Sequence, residues 1–134
     1  MRFMTIVKSE EKFGFPPQEL IDAIEELRQE GIKSGVFLDT GGLAPTATGA
    51  AVRLRGGKLS VVDGPFTESK EVVGGYAVFE LPSQKEAIEW SRRFMELHRK
   101  HWPAWEGVTE IRQLFTPEDL CVEPEKRWQA EAHQ

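Results

Sequence analysis

The sequence predicts an α+β fold in which two helices cover one face of a mainly antiparallel sheet. Two observations lead there. Only two stretches, 16–31 and 83–101, have strong helical periodicity, and the segments around them alternate or run apolar as strands do. Between them, AAVRLR and KLSVVD flank Gly56-Gly57, the signature of a tight hairpin, which places antiparallel strands in the middle of the chain.

Taken in order, RFMTIVK (2–8) is rich in aromatic and β-branched residues and ends in a polar cluster, as a first strand does. In PPQELIDAIEELRQEG, Pro16 and Pro17 pre-set the first helical turn. Leu20, Ile21, Ile24 and Leu27 form its apolar stripe, and Gly31 is the expected C-terminal cap. GVFLD (35–39) reads as a short buried strand, followed by the irregular small-residue loop TGGLAPTATG.

In the hairpin, a Gly-Gly type I′ turn sets Val52 opposite Val61 and Leu54 opposite Leu59 on an apolar face. Arg53, Arg55, Lys58 and Ser60 fall on the other. Arg55 and Lys58 face each other as like charges, at a cost of a few tenths of a kcal/mol. The same alternation carries Asp63 to the side of Leu59 and Val61, so its carboxylate is expected to point inward.

VVGGYAVFEL (72–81) makes a further strand, with Ala77, Phe79 and Leu81 on one side and Tyr76, Val78 and Glu80 on the other. Gly74 and Gly75 mark a bulge or a close backbone approach. Ser83 and Glu86 have capping-box spacing at the start of the second helix, whose broad apolar face includes Ala87, Ile88, Trp90, Phe94, Met95 and Leu97. WPAWEG is a rigid aromatic turn, VTEIRQLF (108–115) a last strand, and Thr116, Pro117 and Asp119 start a short helical turn. This order fits a ferredoxin-like core with an inserted β-hairpin, as one domain over 1–115 with a partly helical tail over 116–134. Two helices cover one sheet face only. A second copy is the economical cover for the other, so a homodimer is expected.

The 134 residues carry a net charge of −5 and one cysteine, Cys121. The acidic balance argues against nucleic acid and anionic membranes, which demand concentrated Lys and Arg. One cysteine excludes a disulfide framework within the chain and suits a reducing, cytoplasmic setting, and no segment has the roughly 20 apolar residues of a membrane span. The glycine loop at 41–49 lacks both phosphate-cradle spacings, and His98 and His101 lack a third metal ligand at a telling distance. No cofactor or metal is expected.

The polar chemistry concentrates at VVDGPFTESKEVVGGY. One reading is architectural, with Asp63 capping the turn, Gly64 and Pro65 setting the backbone and Phe66 anchoring the corner. The other makes Asp63 a proton acceptor in a dimer cleft, tuned by Lys70, with Tyr76 presenting a phenol beside the glycine pair. Asp63, Lys70 and Tyr76 are therefore the candidate catalytic residues, and Arg53 is a further candidate if its side of the hairpin lines the cleft.

The same stretch, with RFMTIVK, GGLAPTATGAAVRLRGGKLSVVDGPF and AVFELPSQKEAIEWSRRF around it, resembles the YCII-related family, in particular its DGPF-domain branch. The resemblance implies a dimeric α+β barrel of ferredoxin-like subunits and, in some members, an enzymatic His and Asp dyad in a cleft. No histidine precedes His98 here, so only the acid carries over, to Asp63 first and Asp39 second. A small-molecule-binding or enzyme-like dimer is one implication. A regulatory module beside an extracytoplasmic-function sigma factor is the alternative.

Overall fold

The computed structural model describes residues 1–66 and 70–120. Glu68, Ser69, Cys121, His133 and most of the tail lie outside them. The elements run β1 (Arg2–Glu10), α1 (Gln18–Lys33), β2 (Phe37–Gly42), β3 (Ala50–Arg55), β4 (Lys58–Asp63), β5 (Glu71–Glu80), α2 (Gln84–His101), β6 (Gly107–Gln113) and α3 (Pro117–Leu120). Four strands form one antiparallel sheet in the order β2-β5-β1-β6, while β3 and β4 pair only with each other. This is the ferredoxin-like α+β arrangement with an inserted hairpin that the order of elements predicts.

Alternation along β1 decides which face the helices cover. Phe3 and Thr5 are buried, and their partners Phe79, Ala77 and Ile111 share that face. Phe3, Phe79, Leu81 and Ala87 form the core cluster, with Phe37 and Trp90 packed against it. The Phe79 ring meets Phe37 edge-on at 5.3 Å and lies 5.6 Å from Trp90. Leu20 of α1 is fully buried, and burial of a side chain this size contributes about 2–3 kcal/mol.

Several local expectations are corrected. Gly31 does not cap α1. It lies inside the helix where a Cβ would stand 3.0 Å from that of Phe37, and Gly35, at φ +76°, makes the turn out. Ser83 is extended at the start of α2, but its side chain makes no capping bond. The TGG segment, read as irregular, continues β2, because main-chain pairing with β5 needs no side-chain pattern. At the other end, Thr116 and Asp119 do bond each other's backbone amides and close α3.

The hairpin has the predicted register, Val52 to Val61 and Leu54 to Leu59, around Gly56 and Gly57 at φ +55° and +76°. Its facing is the opposite of the inward one expected. Val52, Leu54, Leu59 and Val61 are 68–74 % exposed in the protomer, and Asp63 is exposed on the same side. Ala51, Arg53 and Val62 are the half-buried ones. Arg53 Nη2 donates to the Phe66 carbonyl at 2.7 Å, so the half-buried side of the hairpin is the one turned toward the corner that follows β4.

Candidate functional site

The face of the sheet away from the helices carries the polar groups. Register places Asp39 beside Val78 and Gly41 beside Tyr76 across β2–β5. Met4 and Ile6 of β1 continue those rows toward β6. Met4, Ile6, Tyr76 and Val78 are half-buried. On the β1–β6 side, Lys8 Nζ lies 2.8 Å from Glu110, whose other oxygen receives Arg112 Nη1 at 3.2 Å. The Lys8 hydrogen bond, reinforced by Arg112, holds the Glu110 carboxyl below its ordinary range.

On the β2–β5 side, the Tyr76 hydroxyl donates to Asp39 Oδ2 at 3.3 Å, and the Thr40 amide donates to Asp39 Oδ1 at 2.8 Å. The Thr40 hydroxyl in turn bonds the Tyr76 carbonyl at 2.8 Å. The phenol contact is longer than the usual range of about 2.5–3.0 Å for O–H···O. Glycine makes room for this arrangement: a Cβ on Gly41 would stand 2.9 Å from the Tyr76 ring. Gly74 is the extra residue of a bulge, since Val7 pairs with Gly75 and Lys8 with Val73. A hydrogen-bond-accepting carboxylate thus stands beside a donating phenol.

The structure separates the residues singled out from sequence. Asp63 pairs with Ala50 at the root of the hairpin, and Lys70 is exposed just before β5. Among the described residues, no hydrogen bond or ion pair joins Asp63 to Lys70 or either of them to Tyr76. Tyr76 instead meets Asp39, the second-choice acid, together with Thr40, which the sequence did not single out. The pairing of β2 with β5 makes this contact, and no local motif encodes it.

The DGPF corner packs against the turn at 46–48. The Gly64 amide donates to the Gly49 carbonyl at 2.9 Å, a Cβ on Gly64 would lie 1.7 Å from the Thr46 carbonyl oxygen, and the Phe66 ring covers Gly49. The Gly64–Pro65 peptide is cis. Glu11 anchors the turn in its own right, accepting from the Thr46 amide at 3.0 Å and from its hydroxyl. Close backbone approach therefore accounts for Gly64.

His98 is buried. Its Nδ1 lies 2.9 Å from the Phe94 carbonyl, and its ring lies between Phe94 at 4.6 Å and Trp105 at 4.4 Å. Burial pushes its pKa below the ordinary histidine value, against the opposing effect of the Phe94 bond. Trp102 and Trp105 stack at 6.1 Å, the packing expected of a helix end. On the helix side, an open groove of about 330 Å³ runs between Val36, Leu81, Trp90 and Arg93. It is on the other side of the sheet from Asp39 and Tyr76. No helix among the described residues is long and apolar enough to cross a membrane.

Comparison with known proteins agrees with the sequence motifs. An uncharacterised protein of Rhizobium meliloti (strain 1021) is 29 % identical over 69 residues, which are 52 % of this chain. The match spans 56 % of that relative, so the chain covers little more than half the length of the curated protein it matches. A family model for the YCII-related domain matches residues 1–113, nearly the whole described chain. The chain belongs to the YCII-related domain family.

Proposed function

We propose that this chain is a small-molecule-binding, enzyme-like homodimer whose working groups are Asp39 and Tyr76 on the open sheet face. The observation that carries the reading is the 3.3 Å contact between the Tyr76 hydroxyl and Asp39 Oδ2, with Thr40 holding the other carboxylate oxygen. A second subunit over this face would exclude water and strengthen both groups' interactions with a ligand. The arrangement suits a ligand carrying a carbonyl beside a hydroxyl: the carbonyl accepts from Tyr76 and the hydroxyl donates to Asp39. Proton transfer at such a ligand is the chemistry the pair supports.

The test is to titrate the isotope-labelled protein with a fragment set of small hydroxy-carbonyl compounds while following backbone amide shifts. Shifts are expected at Thr40, Gly41 and Tyr76, and Tyr76→Phe should abolish them. Hits confined to the helix-side groove around Trp90 would overturn the assignment.

A further inference from the structure

The hairpin presents an anomaly that the protomer does not explain. Four apolar side chains, Val52, Leu54, Leu59 and Val61, alternate onto one face of a two-stranded ribbon and stand 68–74 % exposed. Arg53 and the Gly64 amide bond Phe66 and Gly49 within the root of the arm, and Glu11, just after β1, ties that root to the body through Thr46. The arm therefore stands on a braced root with its apolar face exposed.

We propose that this arm is an exchange contact between two copies of the chain: each arm lies over the open sheet face of the other copy and carries Asp63 to it. Area and the receiving surface select a second copy. The four side chains expose together about 400 Å², and two arms each covering an equal area of sheet would bury about 1,600 Å², the size of a standard stable interface. Arm against arm would bury only about 800 Å², the scale of a weak packing contact.

The open sheet face is suited to receive the arm. Besides half-buried Met4, Ile6 and Val78, the open face presents Val73 and Val108, both paired with Lys8 and both more than 40 % exposed.

Asp63 lies on the same side of β4 as Leu59 and Val61, so covering that face brings its carboxylate to the partner's sheet. Each site would then combine Asp39 and Tyr76 of one copy with Asp63 of the other. This inference rests on the dimeric reading above, and the experiments separate the two.

The first measurement is sedimentation velocity over a range of protein concentrations, on the wild type and on the doubly substituted Leu54→Glu, Val61→Glu chain. Both positions are exposed in the protomer, so its circular dichroism should be unchanged. Four introduced charges per dimer should weaken association at least about a hundredfold. The second needs no variant: amide hydrogen exchange of residues 50–63 in the wild type should slow as the dimer population rises. A dimer unaffected by the substitutions, a wild type that stays monomeric throughout, or arm protection independent of concentration, as the chain's own C-terminal segment would give, each overturns the proposal. An intact arm-dependent dimer that binds no hydroxy-carbonyl fragment overturns the ligand reading alone.

Discussion

Tyr76 on β5 and Asp39 on β2 meet through a 3.3 Å hydroxyl-to-carboxylate contact across an antiparallel strand pair, although they are 37 residues apart in the chain. Because Asp39 also accepts the Thr40 amide, its carboxylate keeps one bond when the phenol is removed. Tyr76→Phe should therefore cost only about 0.5–1.5 kcal/mol, the net contribution of one hydrogen bond, as read from urea denaturation. A larger loss would mean that the hydroxyl holds the β2–β5 pair together.

The DGPF corner gives a sharper contrast. Gly64→Ala would drive a Cβ to within 1.7 Å of the Thr46 carbonyl oxygen, whereas a Cβ on Gly42 meets nothing within 4 Å. Gly64→Ala should lower stability by at least about 2 kcal/mol, because backbone must move to admit the methyl group. Gly42→Ala should stay within about 0.5 kcal/mol. Thermal melts of the two variants side by side test this, and equal melting temperatures would refute the close packing.

Histidine 98 predicts a pH dependence. Its folded pKa lies below the 6.5 of the exposed group because burial between Phe94 and Trp105 disfavours the charged ring. The unfolded chain then binds a proton more readily than the folded one. The contribution of His98 is fully present above pH 6.5 and is lost as pH falls from there through the lower folded value. Denaturation midpoints followed downward from pH 7.5 should drop more in the wild type than in His98→Gln; parallel curves would assign the acid sensitivity to other groups.

Core and surface aromatics should differ in kind. Phe3 is 2 % exposed in the central cluster and Phe15 is 84 % exposed. Phe3→Ala should cost about 3–5 kcal/mol through the cavity left between β1 and the helices, while Phe15→Ala should change stability by less than about 0.5 kcal/mol. Chemical denaturation of both variants measures the difference.

What the sequence determined by itself was the set of elements and their pairing within short range. Alternation marked β1 and β5, three- and four-residue spacing marked α1 and α2, and Gly56-Gly57 set the hairpin register residue for residue. These are properties of the backbone period and of turn geometry, which a few neighbouring side chains suffice to specify. Tertiary structure decided which face each element shows. Alternation correctly grouped Leu59, Val61 and Asp63 on one side of β4, but that this side meets solvent follows from the hairpin pairing only with itself and standing off the four-stranded sheet. The same holds for the acid beside Tyr76. Asp39 and Asp63 are chemically equivalent in sequence, and only the antiparallel docking of β2 on β5, a contact between distant segments, brings Asp39 to the phenol while Asp63 remains at the root of the arm.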